Sequence, residues 1–232
     1  MKNLYLTSIF CICAALNLPL SAVAADEKTA DPCAEFRYST RLNFTTSYGK
    51  LRYNTDYDRQ ALTRIGQKYG LVEPGMYASG LSLFGIDWGV SLTTVTRVAA
   101  DDTICVLPTA VDVFIGFQEP TIYLDNSLKK DSCRYNLVVR HEHQHQQIAV
   151  AALEYFVPKM RAEIQNSLSL VRAQAVSSLS ETDAATESMK AAYTELVRPL
   201  VDNFKATLLY EQKKLDNREN YRFESGICQG RP

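Results

Sequence analysis

The sequence has 232 residues, 46% of them hydrophobic and 22% charged, with a formal net charge of −1. Nothing in this charge balance favours nucleic acid, because no basic stripe is present. Beyond the first 24 residues, no apolar run in the sequence is long enough to span a bilayer as a helix.

The N-terminal segment, residues 1–24, predicts a secretory signal peptide. Lys2 supplies the positive charge at its start, residues 4–20 are mostly apolar, and residues 22–24 (Ala-Val-Ala) resemble a cleavage site. Cleavage after this segment would leave 208 of the 232 residues (232 − 24), enough for one domain with a hydrophobic core. We therefore predict a periplasmic or secreted protein whose residues 25–232 form a single domain.

Four cysteines lie beyond the predicted signal peptide: Cys33, Cys105, Cys133 and Cys228. An even number in an exported chain predicts two disulfides, for which three pairings are possible. We favour Cys105–Cys133, which would close a β segment ahead of the helical region, and Cys33–Cys228, which would tie the termini. No pair has Cys-x-x-Cys spacing, which argues against a zinc ribbon or a thioredoxin-like motif.

Residues 36–126 predict a small β-rich region with one short helix. Alternating apolar and polar residues predict strands, which we place at residues 41–45, 86–92, 103–107, 111–117 and 121–124. Pro108 and Pro120 are expected to separate the last three strands. A short helix capped by Thr55 is expected after the first strand, ending near Lys68 ahead of Gly70. We expect these strands to form a small antiparallel sheet.

Residues 135–222 are predicted to be helical. The first helix is expected to reach about residue 177 with a bend at Pro158, and the second to run from residue 183 to about Arg218 with a bend at Pro199. Folded as an antiparallel hairpin about residue 179, they would bring residues 211–219 level with the start of the first helix. The whole pattern predicts an α+β fold, a small antiparallel β-sheet followed by a long helical hairpin.

All three histidines lie in the sequence His-Glu-His-Gln-His at residues 141–145. On a helix His141 and His145 fall one turn apart on the buried face, where two imidazoles can bind one Zn²⁺ and leave a position for water. Glu142, about 100° around the helix, could activate that water. His143 points the other way, so it is not expected to bind the same ion. A solvated helix turn that happens to be rich in histidine is the simpler alternative.

A catalytic zinc site needs about three protein ligands, and no further histidine is available. The third ligand must then be a carboxylate or a tyrosine, or the site has no third protein ligand. The end of the returning helix offers four carboxylates, of which we favour Glu219; the others are Glu211, Asp216 and Glu224. Tyr221 could donate a hydrogen bond to a developing oxyanion, although a packed surface tyrosine is the simpler interpretation.

His-Glu-x-x-His at residues 141–145 is the signature of the zincin metallopeptidases. The wider layout resembles a bacterial family of secreted zinc-dependent peptidases, long catalogued as a domain of unknown function. In that family a β-rich part precedes a long helix bearing the motif, and another helix returns. The similar features are residues 85–88, the strand around Cys105 and residues 141–149. The family often has Gly before the second histidine and a late His, whereas this sequence has Gln144 and no late His.

The resemblance implies a zincin-like domain and an exported zinc-dependent hydrolase, specifically a metallopeptidase that acts on a peptide or protein substrate. Glu142 would activate the zinc-bound water, and residues 121–124 would be the sheet edge along which the substrate lies. The alternative is a non-catalytic periplasmic metal-binding protein or a structural envelope protein that uses the same site to hold a metal.

Overall fold

The structure is a computed structural model that describes residues 31–229. The predicted signal peptide and its cleavage site lie outside the described residues. Among the residues that are described, no helix is both long and apolar enough to cross a membrane.

One long central strand organises the sheet. This strand, β4 (Ile104–Leu124), pairs along its whole length with the antiparallel strand β3 (Gly80–Val98). Its other side is shared by three shorter strands: β1 (Arg41–Ser47) and β2 (Arg52–Asn54), which run parallel to it, and β5 (Gln174–Val176), which runs antiparallel. The predicted α+β class is confirmed, but the sheet is mixed rather than antiparallel.

Both prolines of β4 lie inside the strand, where the sequence predicted breaks. A proline has no N–H to donate to the neighbouring strand, so it is tolerated mainly at edges and bulges. The register between β3 and β4 shifts beside Pro108, between Thr93 and Thr94 of β3. A second shift, between Leu83 and Gly85 of β3, lies beside Pro120. The two bulges therefore let three predicted strands merge into one.

Within residues 31–229, four α-helices accompany the sheet: α1 (Arg59–Lys68), α2 (Cys133–Ser167), α3 (Thr182–Leu215) and α4 (Arg218–Ile227). Short 3-10 turns lie at Pro32–Glu35, Leu168–Leu170 and Leu179–Glu181. The cap of α1 is Asp58, whose side chain accepts a hydrogen bond from Ala61 N, so the predicted cap at Thr55 is wrong. The long helices α2 and α3 form the predicted hairpin, with Pro158 and Pro199 inside them.

The hydrophobic core lies between the sheet and the α2–α3 hairpin. At its centre the ring of Phe204 on α3 is 5.7 Å from that of Phe156 on α2 and 6.3 Å from that of Phe117 on β4. Phe204 is fully buried, as are Val111 of β4 and Leu153 of α2. Burying side chains of this size stabilises the fold by about 1.5–3 kcal/mol each. This packing fixes the hairpin on the sheet and so fixes the start of α2 against the end of α3.

The two disulfides join Cys33 to Cys105 and Cys133 to Cys228. The predicted pairing, Cys105–Cys133 with Cys33–Cys228, is wrong. Its error has a simple cause, since Cys105 is at the start of the 21-residue strand β4 whereas Cys133 follows the end of that strand. A strand rises about 3.3 Å per residue, so these two cysteines lie at opposite ends of the sheet.

Candidate metal centre

Three potential metal ligands converge where α2 meets the end of α3. His141 Nε2 and His145 Nε2, one turn apart on α2, are 3.2 Å from each other. Asp216 is the C-cap of α3. Its Oδ1 lies 3.1 Å from His141 Nε2 and 3.2 Å from His145 Nε2. The two histidines are buried and Asp216 is partly buried. The two histidines of the predicted motif therefore form, together with Asp216, a group that could hold a metal ion.

The spacing of these three atoms fits a tetrahedral ion. Bonds of about 2.0–2.1 Å at tetrahedral angles place neighbouring donor atoms about 3.3–3.4 Å apart, close to the separations seen here. Two histidines and one carboxylate are also a ligand set that catalytic zinc sites use, with the fourth position left open. The donor set and its spacing therefore fit Zn²⁺.

Gln212 fixes the orientation and tautomer of His145. Its side-chain Nε2 donates a hydrogen bond to the backbone oxygen of His145 at 3.0 Å, and its Oε1 accepts one from His145 Nδ1. Because an amide oxygen can only accept, Nδ1 of His145 must carry the proton. The lone pair of Nε2 is then directed at the other two ligand atoms, which is the usual arrangement of a metal-binding histidine.

Helix α4 lies over His141. Glu224, which is buried on α4, places its Oε2 3.1 Å from His141 Nδ1, an ion-pair distance at which the N–H is not aligned for a hydrogen bond. The ring of Tyr221 lies 5.4 Å from the ring of His141, and its hydroxyl donates to Asp216 Oδ1 at 2.5 Å. One short helix thus contacts both a histidine and the carboxylate of the metal centre.

Glu142 is enclosed between α2 and the start of β3. The Ser82 hydroxyl donates to Glu142, with Oγ 2.8 Å from Oε2 and 3.0 Å from the backbone oxygen. Gly80 leaves room for this side chain, because a Cβ there would lie 2.5 Å from Glu142 Oε1. Burial raises the pKa of Glu142, and the charges of His141 and His145 oppose that rise without cancelling it.

The carboxylates give the centre a negative field. Burial lowers the pKa of His141, but the hydrogen bond with Asp216 and the nearby carboxylates outweigh burial and raise the pKa to about 9. The same balance raises the pKa of His145. Burial raises the pKa of Asp216, but its bonds with both histidines lower it well below its ordinary range. Groups that pull protons onto imidazoles in this way also favour a metal cation between them.

No protein-family model, curated protein or solved structure matches this chain. Its function therefore has to be inferred from the geometry around residues 141–145. The resemblance to the zincins stays a prediction, carried by the spacing of His141, Glu142 and His145.

The structure brings His141, His145 and Glu142 together and places Asp216, instead of the favoured Glu219, beside the two histidines. Asp216, one of the four candidate carboxylates, meets the histidines, whereas the favoured Glu219 is exposed in the first turn of α4. His143 lies away from the cluster, where its Nε2 pairs with the hydroxyl of Tyr53 on β2. Gln212 and Ser82 were missed, because nothing in their spacing to the motif marks them as partners.

The predicted substrate edge is also wrong. Residues 121–124 belong to the central strand β4 and are flanked by β2 on one side and β3 on the other. Among the described residues β3 pairs with β4 alone, so β3 is an edge strand. Its first residues, Gly80 to Ser82, lie beside Glu142.

Proposed function

We propose that this protein is an exported zinc-dependent hydrolase, most specifically a metallopeptidase. The observation that carries the proposal is the convergence of His141, His145 and Asp216 at 3.1–3.2 Å, with the buried carboxylate of Glu142 next to His141 in the chain. The two disulfides support an oxidising compartment, in agreement with a periplasmic or secreted location.

Each residue has a distinct part in the proposed reaction. Zinc held by His141, His145 and Asp216 would supply Lewis acidity, which polarises a carbonyl oxygen and makes water more acidic. Glu142 is the general base that accepts a proton from the attacking water and passes it to the leaving amine. Its burial supports this role, because a raised pKa brings a carboxylate closer to the working pH. Tyr221 holds Asp216 in place through its hydroxyl.

A second candidate is a metal-binding protein without catalysis. It is favoured by the enclosure of Glu142, which is only 4% exposed and directs its carboxylate to Ser82. Ser82 occupies Oε2, so only Oε1 could take a proton from a water molecule, and burial leaves little room for that water. The two candidates share the metal centre and differ in the part played by Glu142.

The test compares zinc content with peptide hydrolysis in three variants. Glu142→Gln keeps the shape of the side chain but cannot accept a proton, so it should bind zinc normally and lose about 10²–10⁴-fold in rate. His145→Ala should lose zinc, whereas the control His143→Ala should keep it, because His143 contacts Tyr53 instead of the ligand cluster.

Zinc is measured by elemental analysis of purified protein, and hydrolysis by mass spectrometry of a mixed peptide library. Zinc-loaded wild type that cleaves none of the peptides would refute the hydrolase and leave the metal-binding candidate. Equal cleavage by wild type and Glu142→Gln would refute the assigned general base. A wild-type protein that binds no zinc would refute both candidates.

A further inference from the structure

Helix α4 is held at both of its ends, by α3 at its start and by α2 at its end. At its start, α3 ends at Leu215 and α4 begins at Arg218, with Asn217 as the cap between them. At its end, Cys228 is bonded to Cys133, the first residue of α2. The helix therefore breaks at Asp216 and Asn217, and the disulfide holds α4 against the start of α2.

The disulfide sets the register between α2 and α4. At 1.5 Å per residue, His141 lies about 12 Å along α2 from Cys133, while Glu224 and Tyr221 lie about 6 Å and about 10 Å back along α4 from Cys228. Antiparallel helices bonded at this point therefore bring Glu224 and Tyr221 towards His141. The observed contacts agree, since Glu224 Oε2 is 3.1 Å from His141 Nδ1 and the Tyr221 ring lies beside the imidazole.

We propose that Glu224 is a positioning residue for the metal ligand His141 and that the Cys133–Cys228 disulfide holds Glu224 in that position. A carboxylate beside the remote nitrogen of a ligating histidine favours a proton on that nitrogen, which fixes the tautomer and the aim of the lone pair at the other nitrogen. Glu224 Oε2 is 3.1 Å from His141 Nδ1, close enough to act in this way although no hydrogen bond is aligned between them. Glu224 is buried, and a carboxyl group is seldom buried without a partner. The inference rests on metal binding by the proposed centre and is independent of peptide hydrolysis.

The experiment measures zinc affinity by competition with a chromophoric chelator. Glu224→Ala should weaken zinc binding about 10–100-fold, the usual effect of removing such a partner. Glu224→Gln keeps the shape of the side chain and an oxygen near Nδ1 but removes the carboxylate, so it should recover only part of that loss. Glu219→Gln is the matched control, because Glu219 is an exposed carboxylate on the same helix, and it should bind zinc as wild type does.

The contribution of the disulfide is tested by combining variants. Cys133→Ser with Cys228→Ser should weaken zinc binding in the same direction as Glu224→Ala. Because both changes remove the same contact, adding Glu224→Ala to the disulfide-free protein should cause little further loss. Visible absorption of the cobalt-loaded proteins reports the ligand geometry and should change in Glu224→Ala but not in Glu219→Gln.

Each outcome decides one step of the inference. Wild-type zinc affinity and an unchanged cobalt spectrum in Glu224→Ala would overturn the positioning role. A full additional loss on adding Glu224→Ala to the disulfide-free protein would overturn the tether. Zinc binding that depends on Glu224 in a wild type that cleaves no peptide would support the inference and refute only the hydrolase. A wild type without zinc affinity would overturn both.

Discussion

Replacing Gly80 by alanine should force β3 and α2 apart at Glu142. A Cβ on Gly80 would lie 2.5 Å from Glu142 Oε1, 2.6 Å from Val138 Cγ1 and 2.8 Å from Glu142 Cγ. Carbon atoms pack best at about 3.5–4.0 Å, so all three contacts are too close. The carboxylate oxygen could swing aside, but Val138 Cγ1 and Glu142 Cγ lie close to the helix backbone. The helix itself must therefore shift.

Two opposing effects set the expected change in the free energy of unfolding: overpacking lowers it, and the smaller backbone freedom of alanine raises it. Overpacking a well-packed core typically costs about 1–3 kcal/mol, and the upper half of that range applies where several atoms are too close. Alanine loses less backbone freedom than glycine on folding, which offsets about 0.5–1 kcal/mol. The net loss in the free energy of unfolding is then about 1–2.5 kcal/mol. With a urea m-value of about 2 kcal/mol/M, the unfolding midpoint should fall by about 0.5–1.3 M.

Gly89→Ala is the matched control for this measurement. Gly89 lies in the same strand, and a Cβ there would meet no atom within 4 Å. This variant should keep or slightly raise the urea midpoint, because only the loss of backbone freedom changes. Urea unfolding followed by circular dichroism compares the two variants directly. If Gly80→Ala unfolds at the same urea concentration as Gly89→Ala, β3 does not approach Glu142 as closely as these distances require.

Two further predictions concern the metal centre and the core. Gln212→Ala should weaken zinc binding about 10–100-fold, because His145 loses the partner that fixes its tautomer; calorimetric titration measures this, and an unchanged affinity would contradict the role of Gln212. Phe204→Ala should reduce the free energy of unfolding by about 3–5 kcal/mol, because its fully buried ring packs against Phe117 and Phe156; chemical unfolding measures this, and a loss under about 1 kcal/mol would contradict the packing.

The parts of the site that the sequence predicts are those set by local geometry. The spacing of His141 and His145 places them on one face of any α-helix, so their proximity follows from helical periodicity alone. The hairpin also brought residues 211–219 to the correct level, because α2 and α3 are nearly equal in length, 35 and 34 residues. The α+β class followed for the same reason, because alternation and helical periodicity are local patterns.

The extent and pairing of the strands depended on long-range contacts that periodicity does not describe. Prolines commonly lie at the ends of strands, but bulges in the β3–β4 pairing accommodate both Pro108 and Pro120 inside β4. The parallel pairing of β1 and β2 with β4 likewise joins segments that are far apart in the chain. Neither feature can be read from the segments themselves.

The preference for Glu219 overlooked a break in the helix at Asp216 and Asn217. A helix continued through this point would keep Glu219 on the inward stripe. The break leaves Asp216 at the histidines and begins α4, on which Glu224 reaches His141 and Cys228 reaches Cys133. The signal was present, because Asn217 is a residue type that commonly caps helices, and here it accepts from Asn220 N. One correctly assigned cap would have favoured Asp216 over Glu219.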